Sequence, residues 1–357
     1  MAGFFCQAHQ DQQNRLGEGF ARNFFKWDIY LTQVGPRCSM RFVEDYPRNR
    51  AEFEARFSTE AACREYLVKL RWPDGFWCPR CGGRKSWPVR GVLLQCAGCG
   101  HQSSVTAGTI FQDTRKPLTL WFRAMWAVTS QKNGASAIGI QRELGLGSYD
   151  TAWTWLHKLR RAMVRPGRDR LAGSLEVDET FWGSEEEGMR GRQTESKVLV
   201  VIAAQEDGKG IGRIRMRRIP DASAQSLMPF VEDAIEPGSL VHTDGWSGYD
   251  PLEGKGYRHR ITLLKGRKES ASDLLPRVHL VASLLKRWLL GTHQGAVSRE
   301  HLDYYLDEFT FRFNRRNSRS RGKLFLRLAE QAVAVGPSPY KSMVRCYAGA
   351  AASNPNI

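Results

Sequence analysis

The sequence predicts a multidomain α/β protein. A small metal-stapled β ribbon and a helical segment precede a mixed-sheet domain that ends in helices. Three observations predict it. Two CxxC pairs sit in one glycine-rich stretch, CPRCGGRKSWPVRGVLLQCAGCG. Residues 117–164 keep helical spacing, with breaks at Asn133-Gly134 and Gly145–Gly147. From Ser174 the pattern turns to strands: SLEVDETFW, KVLVVIAAQ, GRIRMRRI and SLVHTD, with the helical SAQSLMPFVEDAI before the last. Three strands, a helix and a further strand make a mixed α/β sheet.

Length and charge bound the rest. The 357 residues suffice for two or three domains. Lys and Arg number 53 against 37 acidic residues, a net charge of +16. That surplus favours a polyanionic partner, with nucleic acid ahead of an anionic membrane surface. The longest apolar run, VLVVIAA, is far too short to span a bilayer. The N-terminus lacks a charged region followed by an apolar stretch, so no signal peptide is expected. Cys6, Cys38, Cys63 and Cys346 are scattered and read as reduced thiols, which points to the cytoplasm.

Residues 1–49 read as a weakly ordered extension, with Met40 as a second candidate start; a genuine N-terminal element stays open. RAEFEARFSTEAACREYLVKLR places a helical lead-in over 50–73, broken at Ser58-Thr59. The ribbon is expected over 74–108. Its pairs, Cys78/Cys81 and Cys96/Cys99, lie fourteen residues apart. Two such knuckles give four thiolates to one tetrahedral Zn²⁺; a redox disulfide would not need two matched knuckles. Arg80, Arg84, Lys85 and Arg90 tilt this module toward DNA.

A helical DNA-binding segment is expected over 109–170. SAIGIQRELGL and YDTAWTWLHKLRRAM, joined through Gly-Ser, are similar to a helix-turn-helix. Lys158, Arg160 and Arg161 are its candidate phosphate contacts. A plain three-helix bundle with a solvated basic face is the other reading. The sheet domain takes 171–330 and a tail 331–357, and the loop 183–197 reads as a surface hairpin.

Alternation in LEVDETFWG sets Leu175, Val177 and Glu179 on one face, and Glu176, Asp178 and Thr180 on the other. Asp244 ends the strand of VHTDGWSGY. Carboxylates on neighbouring strands can share divalent metal for phosphodiester chemistry, although a strand-end Asp is often only a turn residue. In RVHLVASLLKRWLL, Val281, Leu284, Leu285 and Trp288 form an apolar face. His279, Ser283 and Lys286 are expected opposite it, so His279 is a surface or a functional residue.

The order CPRCG…CAGCG, LEVDETFWG, HTDGWSGY and SLLKRWLLGTHQGAVSREHLDYYLDEFTFRFNRR resembles bacterial insertion-sequence transposases with an N-terminal zinc ribbon (the ISXO-type group, insertion-sequence family fifteen-ninety-five). The resemblance runs from about residue 50 to 330. It implies an RNase H-like catalytic domain of the DDE type, a cleavage and strand-transfer activity on DNA, and a homo-oligomer on the element ends. It implies that Asp178 and Asp244 bind Mg²⁺ or Mn²⁺. It puts His279 in the third ligand position, where Glu or Asn is usual, and Lys286 seven residues on. It matches Glu308, Arg312 and Arg315 to a further signature, expected on the DNA-binding surface; a surface i,i+4 pair is the plainer reading. A decayed zinc-ribbon regulator and a structure-selective nuclease are the alternative functions.

Overall fold

The computed structural model describes residues 45–165, 167–183, 197–263 and 271–344. The expected extension up to residue 44, the body of the 183–197 hairpin and residues 345–357 lie outside the described residues.

The helical core starts with α1 (Arg50–Arg56) and α2 (Glu60–Arg71). Their N-terminal turns are capped by Asn49, which accepts from Glu52 N at 2.9 Å, and by Thr59, which accepts from Ala62 N at 3.2 Å. The ribbon follows as β1 (Ser86–Val89), β2 (Leu93–Cys96) and β3 (Gln102–Ser104), an antiparallel sheet in that order. Next come α3 (Leu118–Ser130), α4 (Ala137–Leu144) and α5 (Tyr149–Ala162).

The mixed sheet comprises β4 (Ser174–Trp182), β5 (Val198–Asp207), β6 (Gly210–Ile219), β7 (Leu240–Thr243) and β8 (Arg258–Ile261). Its order is β6-β5-β4-β7-β8. The first three strands pair antiparallel; β7 runs parallel to β4, and β8 parallel to β7. The first strand in sequence is therefore central, which is the RNase H-like arrangement. Helix α6 (Ala224–Ala234) covers one face. Helices α7 (Ala271–Leu274), α8 (Pro276–His293) and α9 (Leu302–Phe313) follow β8, then α10 (Arg321–Ala334) and α11 (Tyr340–Val344).

Alternation along β5 divides the sheet's two cores. Leu199, Val201 and Ala203 join Leu175 and Val177 under α6. Val200, Ile202 and Ala204 meet Val278, Val281 and Leu285 of α8, with Leu306 and Phe309 of α9. Asp178 lies on β4's α8 side, as the strand period requires.

Helix α10 crosses the boundary drawn from sequence at residue 330. Its fully buried Phe325 lies within 5.4–6.3 Å, ring centre to ring centre, of Phe53, Phe57, Tyr66, Phe122 and Trp126. It thus belongs to the core shared by α1, α2, α3 and α5. Residues 331–344 are likewise not a free tail: Ala332 and Met343 are buried.

Candidate active site and metal centres

The central strand presents two acidic side chains toward α8. Asp178 keeps a side-chain exposure of 16%, and its Oδ1 accepts from Glu179 N at 2.8 Å. Its Oδ2 lies 3.5 Å from His279 Nε2. That nitrogen is buried and has no hydrogen-bond partner. Burial holds the imidazole below its ordinary value of 6.5, while the carboxylates of Glu176 and Asp244 pull it up and Lys286 pushes it down again. At neutral pH it is a neutral ring, the form in which a histidine can bind a metal.

Asp244 follows β7 directly. Its Oδ1 accepts from Trp246 N at 3.0 Å, closing a tight turn through Gly245 at φ +80°. The indole Nε1 of Trp246 donates to Ala222 O at 2.7 Å. On the other face of β4, Glu179 accepts from the buried Tyr249 hydroxyl at 2.5 Å. This ties the Asp244 turn to the strand that carries Asp178. Burial, then the nearby Glu179 charge, raises Tyr249 well above the ordinary phenol value, so it stays a donor.

Lys286 lies two turns after His279, half-buried on the same flank, and burial and then the Lys197 charge lower its pKa. The flank is not the one expected. The buried stripe of α8 is Val278, Val281, Ala282, Leu285 and Leu289, so His279 and Lys286 border it rather than oppose it. Of the apolar face expected from sequence, Val281 and Leu285 are buried, whereas Leu284 and Trp288 are only partly buried.

The zinc centre is tighter. Cys78 Sγ and Cys99 Sγ lie 3.7 Å apart, Cys81 Sγ and Cys96 Sγ 3.6 Å. Tetrahedral Zn–S bonds of about 2.3 Å place sulfurs roughly 3.8 Å apart, so the four thiols fit zinc. Gly82 and Gly100 end the two knuckles at φ +74° and +69°, where a side chain would be strained. Among the described residues, only these four bring at least three metal-ligating atoms within 4.8 Å of one another. Asp178, Asp244 and His279 do not meet that spacing.

The expected DNA contacts divide. Arg161 is exposed. Arg160 is 2% exposed and Glu308 0%, and they form a buried ion pair at 2.8 Å. Arg312 donates to the carbonyl oxygens of Val128, Gln131 and Lys132 at the end of α3. Arg315 is half-buried, lies 4.0 Å over the Phe311 ring, and is pulled by burial to about 10. Glu308, Arg160 and Arg312 therefore join α9 to the helical core rather than facing DNA. Helix α5 is no free recognition helix either. Trp155, Leu156, His157, Leu159 and Arg160 are all buried, because it packs between α4, α9 and α10. Lys158 is half-buried.

Sequence reasoning overlooked Glu176 and Tyr249. Glu176 was visible only as a partner of Asp178 on one strand face, and the tyrosine gave no signal beyond its place in HTDGWSGY.

Two family models match the chain. Residues 170–314 match an ISXO2-like transposase domain, and residues 58–102 a transposase zinc-ribbon domain. The chain carries an ISXO2-like transposase domain and, ahead of it, a transposase zinc-ribbon domain. It is similar to an uncharacterized protein in transposable element ISH50 of Halobacterium salinarum, 27% identical over 281 residues, covering 72% of this chain and 91% of the relative. An uncharacterized transposase-like protein of Haemophilus influenzae is 21% identical over 116 residues, 31% of this chain and 89% of the relative. A solved Mos1 transposase paired-end complex with left transposon end aligns over 66% of this chain and 81% of its own at 13% identity; its TM-score of 0.25 is too low to bear on the fold. No helix among the described residues is long and apolar enough to cross a membrane.

Proposed function

We propose that this protein is an active DNA transposase that binds the terminal inverted repeats of its element, cuts a phosphodiester there, and joins the freed 3′-hydroxyl to target DNA. The observation that carries the reading is the 3.5 Å approach of His279 Nε2 to Asp178 Oδ2, with that nitrogen free of any other hydrogen bond.

Asp178, Asp244 and His279 would hold Mg²⁺ or Mn²⁺. Such a metal supplies Lewis acidity to a phosphodiester oxygen and lowers the pKa of a bound water. A histidine in the third place adds no negative charge and is a softer donor than a carboxylate, so Mn²⁺ should serve at least as well as Mg²⁺. Lys286, on the same flank as His279, would hold a phosphate near the cut. The acid limb of activity should lie below pH 6.5, because burial lowers the His279 pKa.

The ribbon supplies the DNA-facing surface. Arg80, Arg84, Lys85 and Arg90 are exposed, with the Trp77 and Trp87 rings 38% and 47% exposed beside them. Basic groups interleaved with exposed aromatic faces suit a nucleic-acid partner. Arg161 adds one exposed charge from α5. Structural zinc at the four thiols holds this module in shape. Holding two ends together calls for more than one copy, so the working form would be a homo-oligomer on DNA, in the bacterial cytoplasm at the nucleoid.

The test is a cleavage assay on the element's end sequence with Mg²⁺ or Mn²⁺. The parent protein should cut at the end, and Asp178→Asn and Asp244→Asn should bind the end but leave it intact. A parent that binds the end and never cuts it, with either metal, would make the chain a regulator instead.

A further inference from the structure

We propose that Glu176 is a positioning residue that fixes the place of His279 opposite Asp178. The inference rests on the metal-binding reading of those two residues.

Helix α8 begins without a cap of its own. Leu275 precedes it with no side-chain hydrogen bond, and Pro276 takes the first helical position. The N–H groups of a first turn have no partner within the helix, and proline removes only one of them. Glu176 takes two of the others. Its Oε2 accepts from Arg277 N at 2.7 Å and from Val278 N at 3.0 Å, and its Oε1 accepts from Arg277 Nη1 at 2.8 Å. The carboxylate is 1% exposed, and its charge sits at the positive end of the helix. A strand residue therefore caps a helix roughly a hundred positions away in sequence.

The location gives this cap its consequence. Glu176 lies two residues before Asp178 on the same face of β4, and Val278 immediately precedes His279. The clamp thus links the backbones of the two candidate ligands by a short route: one strand step, one carboxylate, one helical residue. The apolar contacts of Val278, Val281 and Leu285 with Val200 and Ile202 hold α8 against the sheet. Such contacts are non-directional, so they set the layer spacing and resist sliding along the helix axis only weakly. The three hydrogen bonds of Glu176 are directional and fix the axial position of the first turn.

The side chain's length is what matters under this reading, and its charge is secondary. Glu176→Gln keeps the reach and one carbonyl oxygen for the two backbone N–H groups. Glu176→Asp keeps the charge but falls one methylene short, so the first turn of α8 must shift or lose its cap. The experiment is a titration of full-length, zinc-loaded protein with Mn²⁺ alone, free metal being read by electron paramagnetic resonance, with thermal melting in parallel. For Glu176→Asp the Mn²⁺ dissociation constant should rise by about tenfold or more, and for Glu176→Gln by less than about threefold, typical of losing or keeping a group behind a metal ligand. A purely structural role would lower the melting temperature of the variants while leaving the Mn²⁺ dissociation constants of both near the parent's.

Glu176→Asp binding Mn²⁺ like the parent, or Glu176→Gln binding more weakly than Glu176→Asp, overturns the proposal. The parent and His279→Ala separate this from the broader reading. If the parent has no Mn²⁺ site that His279→Ala removes, the metal-binding reading fails and takes the inference with it. If that site exists, only the role of Glu176 is at stake.

Discussion

Arg160→Ala should destabilise the protein strongly and leave no direct mark on DNA contacts. Arg160 is 2% and Glu308 0% exposed, with Nε and Oε2 at 2.8 Å. Glu308 Oε1 has no hydrogen-bond partner, so Arg160 is the donor on which the carboxylate depends. Removing one member of a buried pair costs about 3–5 kcal/mol, because the other charge stays in a dry interior. Arg312 is close enough for its charge to act on Glu308, which holds the loss toward the lower end. The Arg160 guanidinium also lies 3.9 Å from the centre of the Tyr305 ring, a contact worth about 1 kcal/mol more. A total near 4 kcal/mol lowers the folding equilibrium constant by about a thousandfold. Urea unfolding followed by tryptophan fluorescence reads this as a lower midpoint. Arg161→Ala, on the exposed side, should stay within about 0.5 kcal/mol of the parent. The pair Arg160→Met with Glu308→Leu should recover most of the loss, since neither charge remains buried. Arg160→Ala that unfolds like the parent but binds DNA more weakly would refute the reasoning and restore Arg160 as a phosphate contact.

Zinc analysis should find one Zn²⁺ per chain, and Cys96→Ser should unfold residues 74–108 while the sheet domain stays folded, as limited proteolysis would show. Stability should fall as pH drops below about 6.5. His157 is fully buried with neither ring nitrogen bonded, and burial, then the Arg160 charge, lowers its pKa to about 2. Above 6.5 both folded and unfolded states are neutral at this site; below it only the unfolded state takes the proton, at a cost of up to about 1.4 kcal/mol per pH unit. Urea midpoints at pH 7.5 and 5.5 should show the drop, and His157→Phe should make it smaller. End binding should weaken steeply between 50 and 200 mM salt, and Arg84→Ala should lessen the slope of log affinity against log salt by about one.

The parts of the molecule governed by short-range rules were legible. Alternation in LEVDETFW placed Asp178 on its strand face, and knuckle spacing identified the four thiols, because a ligand set made within a few residues leaves its geometry in the spacing. Helix α8 was legible as an element, but its orientation was misjudged. Val278, Ala282 and Leu289 belong to the buried stripe, and their partners are residues of β5 about eighty positions away. Arg160 and Glu308 show the same limit more sharply: a charge on a helix reads as solvated until its partner, 148 residues on, is found. Strand β8 was overlooked because RHRI has one partly buried residue and three exposed ones, so no apolar period marks it. The role of α10 was hidden because its buried face packs on helices from the start of the described chain, a pairing that no local pattern records.

If His279 is a ligand in the cleavage site, the end-cleavage rate of His279→Ala in Mn²⁺, with end binding measured on the same preparation, tests it most directly. His279 Nε2 lies 3.5 Å from Asp178 Oδ2 and has no hydrogen bond to lose, so the substitution should leave folding and end binding near those of the parent. Cleavage should fall by at least about a hundredfold, as expected when a metal ligand is removed from a site that depends on it. An His279→Ala protein that cuts the element end as fast as the parent would contradict the account and leave His279 a half-buried histidine beside the site.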